Sequence, residues 1–133
     1  MQKKALIEII KEHLQGEITE IGSQSNPTEE SRSELLALER ALLMYRFLPI
    51  REFKGDDVIA PASLVEVEYS SRRLWILLVP QNGGLITHFE GQPVQVLTPQ
   101  SPLGEAMLGK KPGDRFTVQT GSGQREYRVI QVL

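Results

Sequence analysis

No cysteine occurs in the chain, which excludes disulfide staples and thiolate-held zinc and fits a reducing compartment. Histidine is nearly as scarce: His13 on a helical segment and His88 near a strand end have no second ligand at metal-site spacing, and no His-Glu-x-x-His pattern exists. Both are expected to be surface or partly packed residues, so no resident metal or cofactor is expected. Aromatic residues make up only 6%, and the single tryptophan, Trp75, lies in an apolar strand where packing is its expected role. No apolar run approaches the ~20 residues of a membrane span. The basic-then-apolar start is interrupted by Glu8, Lys11 and Glu12 before a signal-peptide core forms, so a soluble, cytoplasmic protein without membrane attachment is expected. Nor is there an excess of positive charge. Fifteen Lys and Arg against seventeen Asp and Glu leave a net charge of −2, which removes the electrostatic drive for direct DNA or RNA binding and makes a protein the default partner. Gly-x-Ser-x-Gly, Walker and dinucleotide-binding patterns are all missing, and Gly121-Ser122-Gly123 lies between two strands, as a hairpin turn does.

What is present divides into two parts, residues 1–50 and 51–133. In the first, Ile7, Ile10, Leu14, Ile18 and Ile21 recur at helical spacing, with Lys11, Glu12, Gln15, Glu17 and Glu20 on the other side. Gly16 is a weak point in this segment, where the helix is expected to end early or kink. Gly22-Ser23-Gln24-Ser25 breaks the pattern. A second helix is expected from Asn26 as cap, with Pro27 in the first position and Glu29 in the third, reaching back to the cap. Its seam is Leu35, Leu38, Leu42 and Tyr45, widened by Leu36, Leu43 and Phe47, and Pro49 stops it. Two helices of this length with a short connection fold back antiparallel as a short coiled-coil hairpin, each arm about 30 Å long. Isolated, such helices are marginal, so the shared apolar face must hold them.

The second part is β-rich. Leu64–Tyr69 alternates with period two, Ser70-Ser71-Arg72 is a turn, and Arg73–Val79 is a continuous apolar run suited to a central strand. Pro80-Gln81-Asn82-Gly83-Gly84 is a loop with an Asn-Gly turn signal. Short strands follow at 85–89 and 94–97, then a helix and two final strands at 115–120 and 126–132. The expectation is an α+β unit: a twisted antiparallel sheet of five or six strands with one short helix on a face. In the connecting segment, Phe53 is expected to pack the hairpin against the sheet.

The densest local signal is Ser101-Pro102-Leu103-Gly104-Glu105-Ala106-Met107-Leu108-Gly109-Lys110-Lys111-Pro112-Gly113-Asp114. Ser101 is a hydroxyl cap and Pro102 suits the first helical position, where a missing N–H removes no bond. Leu103, Ala106, Met107 and Leu108 supply an apolar side, and Gly109 ends the helix in the left-handed region. Continued through Gly121-Ser122-Gly123 to the strand Glu126-Tyr127-Arg128-Val129-Ile130-Gln131-Val132, this arrangement resembles the C-terminal domain of the bacterial Gre transcript-cleavage factors. Upstream the match is architectural, a helical hairpin before a β-rich domain, in a short-hairpin form similar to the Rnk-type regulators.

The resemblance implies an FKBP-like sheet domain at 51–133 and a regulator of transcription elongation that binds RNA polymerase at the rim of its secondary channel, without catalysis of its own and with nucleic acid met only indirectly. Carried over by position, it nominates Gln100, Ser101, Pro102 and Leu103 as polymerase-binding residues, with Met107 beside them, although Pro102 and Leu103 serve equally as cap and core. It also draws attention to Glu29 and Glu30 at the hairpin tip, with Glu17 and Glu20 on the opposite arm. In the family, tip carboxylates help hold a second Mg²⁺ for cleavage of backtracked RNA. Here the family's Asp and Glu-Asn tip pattern is absent, and Glu29 and Glu30 suit a helix first turn for dipole reasons alone. The family's hairpins are longer, and Mg²⁺ ligation demands an oxygen within about 2.1 Å. Three alternatives stand beside this reading: a cleavage-stimulating factor using the tip carboxylates, a homodimer formed through the hairpin's wide apolar stripe, and an FKBP-like prolyl isomerase. The last needs an aromatic-lined pocket, and Phe89, Phe116, Tyr69, Tyr127 and Trp75 show no clustering along the chain.

Overall fold

The computed structural model describes residues 2–81 and 83–133. The chain divides into two compact units, Met1–Pro49 and Ile50–Leu133. In the first, α1 (Lys3–Gly22) and α2 (Glu29–Phe47) pack on one another. Gly16 does not interrupt α1, which continues for six residues beyond it. Burial is graded along the pair. Leu6, Ile7, Ile10 and Leu14 of α1 are buried, as are Ala41, Leu42, Met44 and Tyr45 of α2, whereas residues 22–30 are exposed throughout.

The start of α2 differs from the expectation. Thr28, not Asn26, is the cap, and Pro27 lies outside the helix. The Thr28 Oγ1 accepts from Ser31 N at 3.0 Å while Ser31 Oγ accepts from Thr28 N at 2.8 Å. This reciprocal pair satisfies both orphan donors with short hydroxyls, so it displaces the competing Asn26–Glu29 pairing. Glu29 and Glu30 become the first two helical residues, where their charge complements the helix dipole but their oxygens have no capping duty.

The second unit is a six-stranded sheet: β1 (Leu64–Tyr69), β2 (Arg72–Leu78), β3 (Ile86–Phe89), β4 (Gln92–Leu97), β5 (Arg115–Thr120) and β6 (Gly123–Val132), with α3 (Pro102–Met107) between β4 and β5. The spatial order is β3-β4-β2-β1-β6-β5. Four of its five neighbouring pairs are antiparallel, but β2 and β4 run parallel, Trp75 beside Val94 and Leu78 beside Leu97. The α+β architecture is as expected, whereas the all-antiparallel sheet is corrected at this one junction. The expected Asn82-Gly83 turn falls partly on Asn82, outside the described residues. Gly121 and Ser122 do form a hairpin turn, closed by Thr120 paired with Gly123. The β1–β2 hairpin is equally tight: Ser70 and Ser71 alone connect the strands, at φ +49° and +65°, the left-handed pair that a two-residue hairpin requires.

The core follows from strand alternation. Val65 and Val67, Ile76 and Leu78, Phe116 and Val118, and Tyr127 and Val129 form one cluster with Met107 of α3 and with Phe53 and Ile59 of the segment before β1. Phe53, expected to join the hairpin to the sheet, is a member of this sheet core, and the Arg51 guanidinium lies 4.3 Å over its ring. The aromatic residues that looked scattered in sequence assemble here. Tyr69, Tyr127 and Phe116 lie in a row across β1, β6 and β5, with centroids 5.2 and 5.4 Å apart, the first pair tilted and the second stacked. Tyr127 and Phe116 are buried, so these rings fill the core. Trp75 is buried as expected. Glu66, a buried carboxylate in β1, accepts from Gln131 Nε2 at 2.9 Å and lies 3.7 Å from Arg73, which supplies the polar partners that burial demands. No helix among the described residues is long and apolar enough to cross a membrane.

Candidate functional site

The connection from β4 to α3 is built around one hydroxyl. Ser101 Oγ donates to the Thr98 carbonyl at 2.7 Å and accepts from Gly104 N at 3.1 Å, while Ser101 N also donates to Thr98 O and Glu105 N donates to Ser101 O. One side chain thereby fixes the turn before the helix to the helix's first turn. Gly104 is part of the same device. It is buried, and a Cβ placed there would lie 2.0 Å from the Thr98 carbonyl oxygen. The backbone of α3 approaches the turn as closely as it does because glycine leaves that space open.

The far end of α3 is held as firmly. Gly109, at φ +80°, donates its N–H to Ile59 O at 2.9 Å, and Ile59 N donates to Lys110 O at 2.7 Å. Asp114 then closes the next turn by accepting from Lys111 N at 3.0 Å. The helix is therefore a short rigid platform tied at both ends, with Met107 inserted into the sheet core beneath it.

The nominated docking residues divide across this platform. Gln100 and Pro102 are exposed, Ser101 is half-buried because its hydroxyl works in the turn, and Leu103 is half-buried against the core. Met107 is fully buried. Its side chain has no surface to offer a partner, which removes it from the docking set: on a helix of under two turns the inward position is taken by the residue that follows Leu103 by one turn. Leu108, by contrast, was assigned to the apolar side but is 41% exposed, because the chain leaves the helix at this residue with φ −58° and ψ 131°. Gln100 and Ser101 also share a shallow depression with Gln81, Gly83, Gly84, Leu97 and Thr98. The loop residues 81, 83 and 84 were not legible as part of a site. Their link is the pairing of Gly84 N with Val96 O and Val96 N with Leu85 O, a tertiary contact that no local motif announces. Between residues 98 and 108 the sole charged side chain is Glu105, so this segment is nearly neutral.

At the other candidate site, Glu29 and Glu30 stand exposed at the start of α2. Glu17 on α1 is paired with His13 Nε2 at 3.1 Å, which accounts for His13 as a surface helix residue. Among the described residues no group of three or more His, Cys, Asp or Glu gathers to hold a metal ion.

Residues 54–133 match the family model described as "Transcription elongation factor, GreA/GreB, C-term". The chain is 29% identical to the transcription inhibitor protein Gfh1 of Thermus thermophilus, across 84% of its own length and 69% of the relative's. It is 24% identical to the transcription elongation factor GreA of Desulfovibrio desulfuricans, across 98% of its length and 80% of the relative's. A solved structure of the transcription factor Gfh1 aligns with a TM-score of 0.50 at 25% identity, covering 98% of this chain and 90% of that one. With more than half of its residues inside the family model, and with the Ser-Pro turn, the short helix α3 and the closing strand all in the matched region, the chain belongs to the GreA/GreB family of transcription elongation factors.

Proposed function

We propose that this chain regulates transcription elongation by docking on RNA polymerase through the turn at residues 100–103, at the rim of the secondary channel, without itself making or breaking a bond. The observation that carries the reading is the Ser101 hydroxyl bonded to both Thr98 O and Gly104 N. It holds exposed Gln100 and Pro102 in one geometry before any partner arrives, and such preorganisation lowers the ordering cost of association. The segment's near-neutrality fits recognition by shape and hydrogen bonding more than by charge steering. The similarity to a transcription inhibitor favours a restraining effect on the enzyme. Partner and compartment follow from the same reading: RNA polymerase in the bacterial cytoplasm.

The test is binding of purified core polymerase in competition with a GreA factor. Gln100→Arg combined with Pro102→Ala alters exposed side chains, leaves the Ser101 bonds in place and is expected to weaken binding at least about tenfold, or 1.4 kcal/mol. Undiminished binding by this folded double variant refutes the docking assignment.

A second reading has one specific observation in its favour. Because Thr28 and Ser31 cap α2 between themselves, the Glu29 and Glu30 carboxylates are released from the structural duty that sequence spacing assigned to Glu29. They are oxygen ligands of the kind a hard cation takes. On stalled elongation complexes with Mg²⁺, this reading expects the unaltered chain to accelerate RNA cleavage and Glu29→Gln/Glu30→Gln to abolish the acceleration while retaining binding. The non-catalytic reading expects no acceleration from either.

A further inference from the structure

Thr98 is the residue on which the docking turn hangs. Its carbonyl accepts from Ser101 N at 3.1 Å and from Ser101 Oγ at 2.7 Å, and the space left open at Gly104 lets α3 approach that same oxygen. A second glycine closes on Thr98 from the loop after β2. A Cβ placed on Gly83 would lie 2.9 Å from Thr98 Cγ2, 3.1 Å from Thr98 N and 3.3 Å from the carbonyl carbon of Leu97. The loop that carries Gly83 is tied down before and after it: Val79 N donates to Leu97 O at 2.8 Å, and Gly84 N donates to Val96 O at 2.8 Å. Both anchors lie on the end of β4, the strand that leads into the turn.

We propose that Gly83 is a positioning residue for the docking turn. By closing on Thr98 it fixes the exit of β4, and through the Thr98 carbonyl and the Ser101 hydroxyl it sets where Gln100 and Pro102 stand. Gly83 itself need touch no partner. The functional half of this inference rests on the reading that residues 100–103 dock on RNA polymerase. Its structural half rests on packing alone. A methyl group at residue 83 requires Thr98 to withdraw by roughly half an ångström or more before carbon–carbon contact reaches ~3.5 Å. Cγ2 belongs to a β-branched side chain with little freedom at χ1, so the displacement passes to the backbone. The Thr98 carbonyl then moves off the Ser101 hydroxyl, and Gln100 and Pro102 must be ordered by the partner at a cost to affinity.

Amide hydrogen exchange and binding of core polymerase, measured on variants of the full chain, test this. Gly83→Ala is expected to speed exchange of the Ser101 and Gly104 amides about tenfold or more while the β1 and β6 amides stay within about twofold, and to weaken binding about fivefold. Thr98→Ser removes Cγ2 and keeps the carbonyl, so alone it is expected to stay within about twofold of the wild type. Gly83→Ala/Thr98→Ser is expected to recover both exchange and binding to within about twofold, because the methyl that the new Cβ would strike is gone. A backbone cost at residue 83, or a general loss of folding, is not relieved by a change at residue 98. Unchanged exchange at the turn in Gly83→Ala, or a double variant no better than that single one, overturns the proposal. So does unaltered binding by Gly83→Ala where Gln100→Arg/Pro102→Ala binds more weakly. If neither of those variants alters binding, the docking reading falls, and the exchange pattern with its rescue decides by itself whether Gly83 positions the turn.

Discussion

Replacing Gly104 by alanine is expected to cost about 3 kcal/mol of stability, far more than one methyl group ordinarily does. The new Cβ would sit 2.0 Å from the Thr98 carbonyl oxygen, and that neighbour is backbone, which cannot rotate aside. Either α3 lifts away from the turn, or residues 98–101 move. Both routes break the Ser101 Oγ bonds to Thr98 O and Gly104 N, each contributing about 1 kcal/mol, and both disturb Met107 in the core. At roughly 4–8 °C per kcal/mol for a domain of this size, thermal denaturation is expected to move down by about 12–24 °C. Gly109→Ala is the internal control. It introduces a Cβ into open space at φ +80°, so only the left-handed backbone penalty of about 1 kcal/mol applies. Equal losses for the two variants would show that close approach at Gly104 is not what fixes the platform.

The second large effect is alkaline. Tyr45 is 2% exposed, and its hydroxyl has no hydrogen-bond partner among the described residues. Burial disfavours the phenolate and pushes the pKa from 10.0 up to about 12. Between these values the unfolded chain has released the proton while the folded chain still holds it. Stability therefore falls with rising pH in this window. The contribution is fully present below pH 10 and is lost as pH rises through about 12, amounting to roughly 2–3 kcal/mol at about 1.36 kcal/mol per unit. Denaturant melts of the wild type and Tyr45→Phe at pH 8 to 12 isolate this group, because every other titration is common to both. The phenylalanine variant is expected to be at least as stable at pH 8, where removing an unpaired buried hydroxyl is neutral or favourable, and to lack the extra alkaline loss. Parallel pH profiles would mean that the phenol is hydrated.

Much of this molecule was legible because its signals are local. Ser101 and Pro102 announce the start of α3 by their own chemistry, Gly109 marks the turn just beyond its end, and the Leu64–Tyr69 alternation marks a half-covered strand. Where two local signals competed, reading failed: Asn26-Pro27 and Thr28–Ser31 are both respectable helix starts, and only the geometry of two hydroxyls decided between them. Direction was also hidden. Nothing in the period of Trp75–Leu78 or Val94–Leu97 tells a parallel neighbour from an antiparallel one, so the single parallel junction could not be foreseen. The candidate site was half visible for a related reason. Its turn is contiguous in sequence, but the loop at 81–84 reaches it only through pairing with β4. Met107 and Leu108 were interchangeable as letters, and the exit of the backbone at Leu108 sent one inward and the other to water.

The pairing of β1 with β6 has a consequence for synthesis on the ribosome. Val65 aligns with Val132, and Leu64 exchanges both backbone bonds with Leu133, so the first strand of the sheet is completed by the last. At ~5–20 residues per second, β1 waits roughly 3–13 s for its partner to be made. During that interval its apolar row has one neighbour, β2, and one open flank. The hairpin unit, whose contacts are nearby in sequence, has no such delay. Nascent chains of this protein are thus most vulnerable to mispairing and chaperone capture in the interval between synthesis of β1 and arrival of β6.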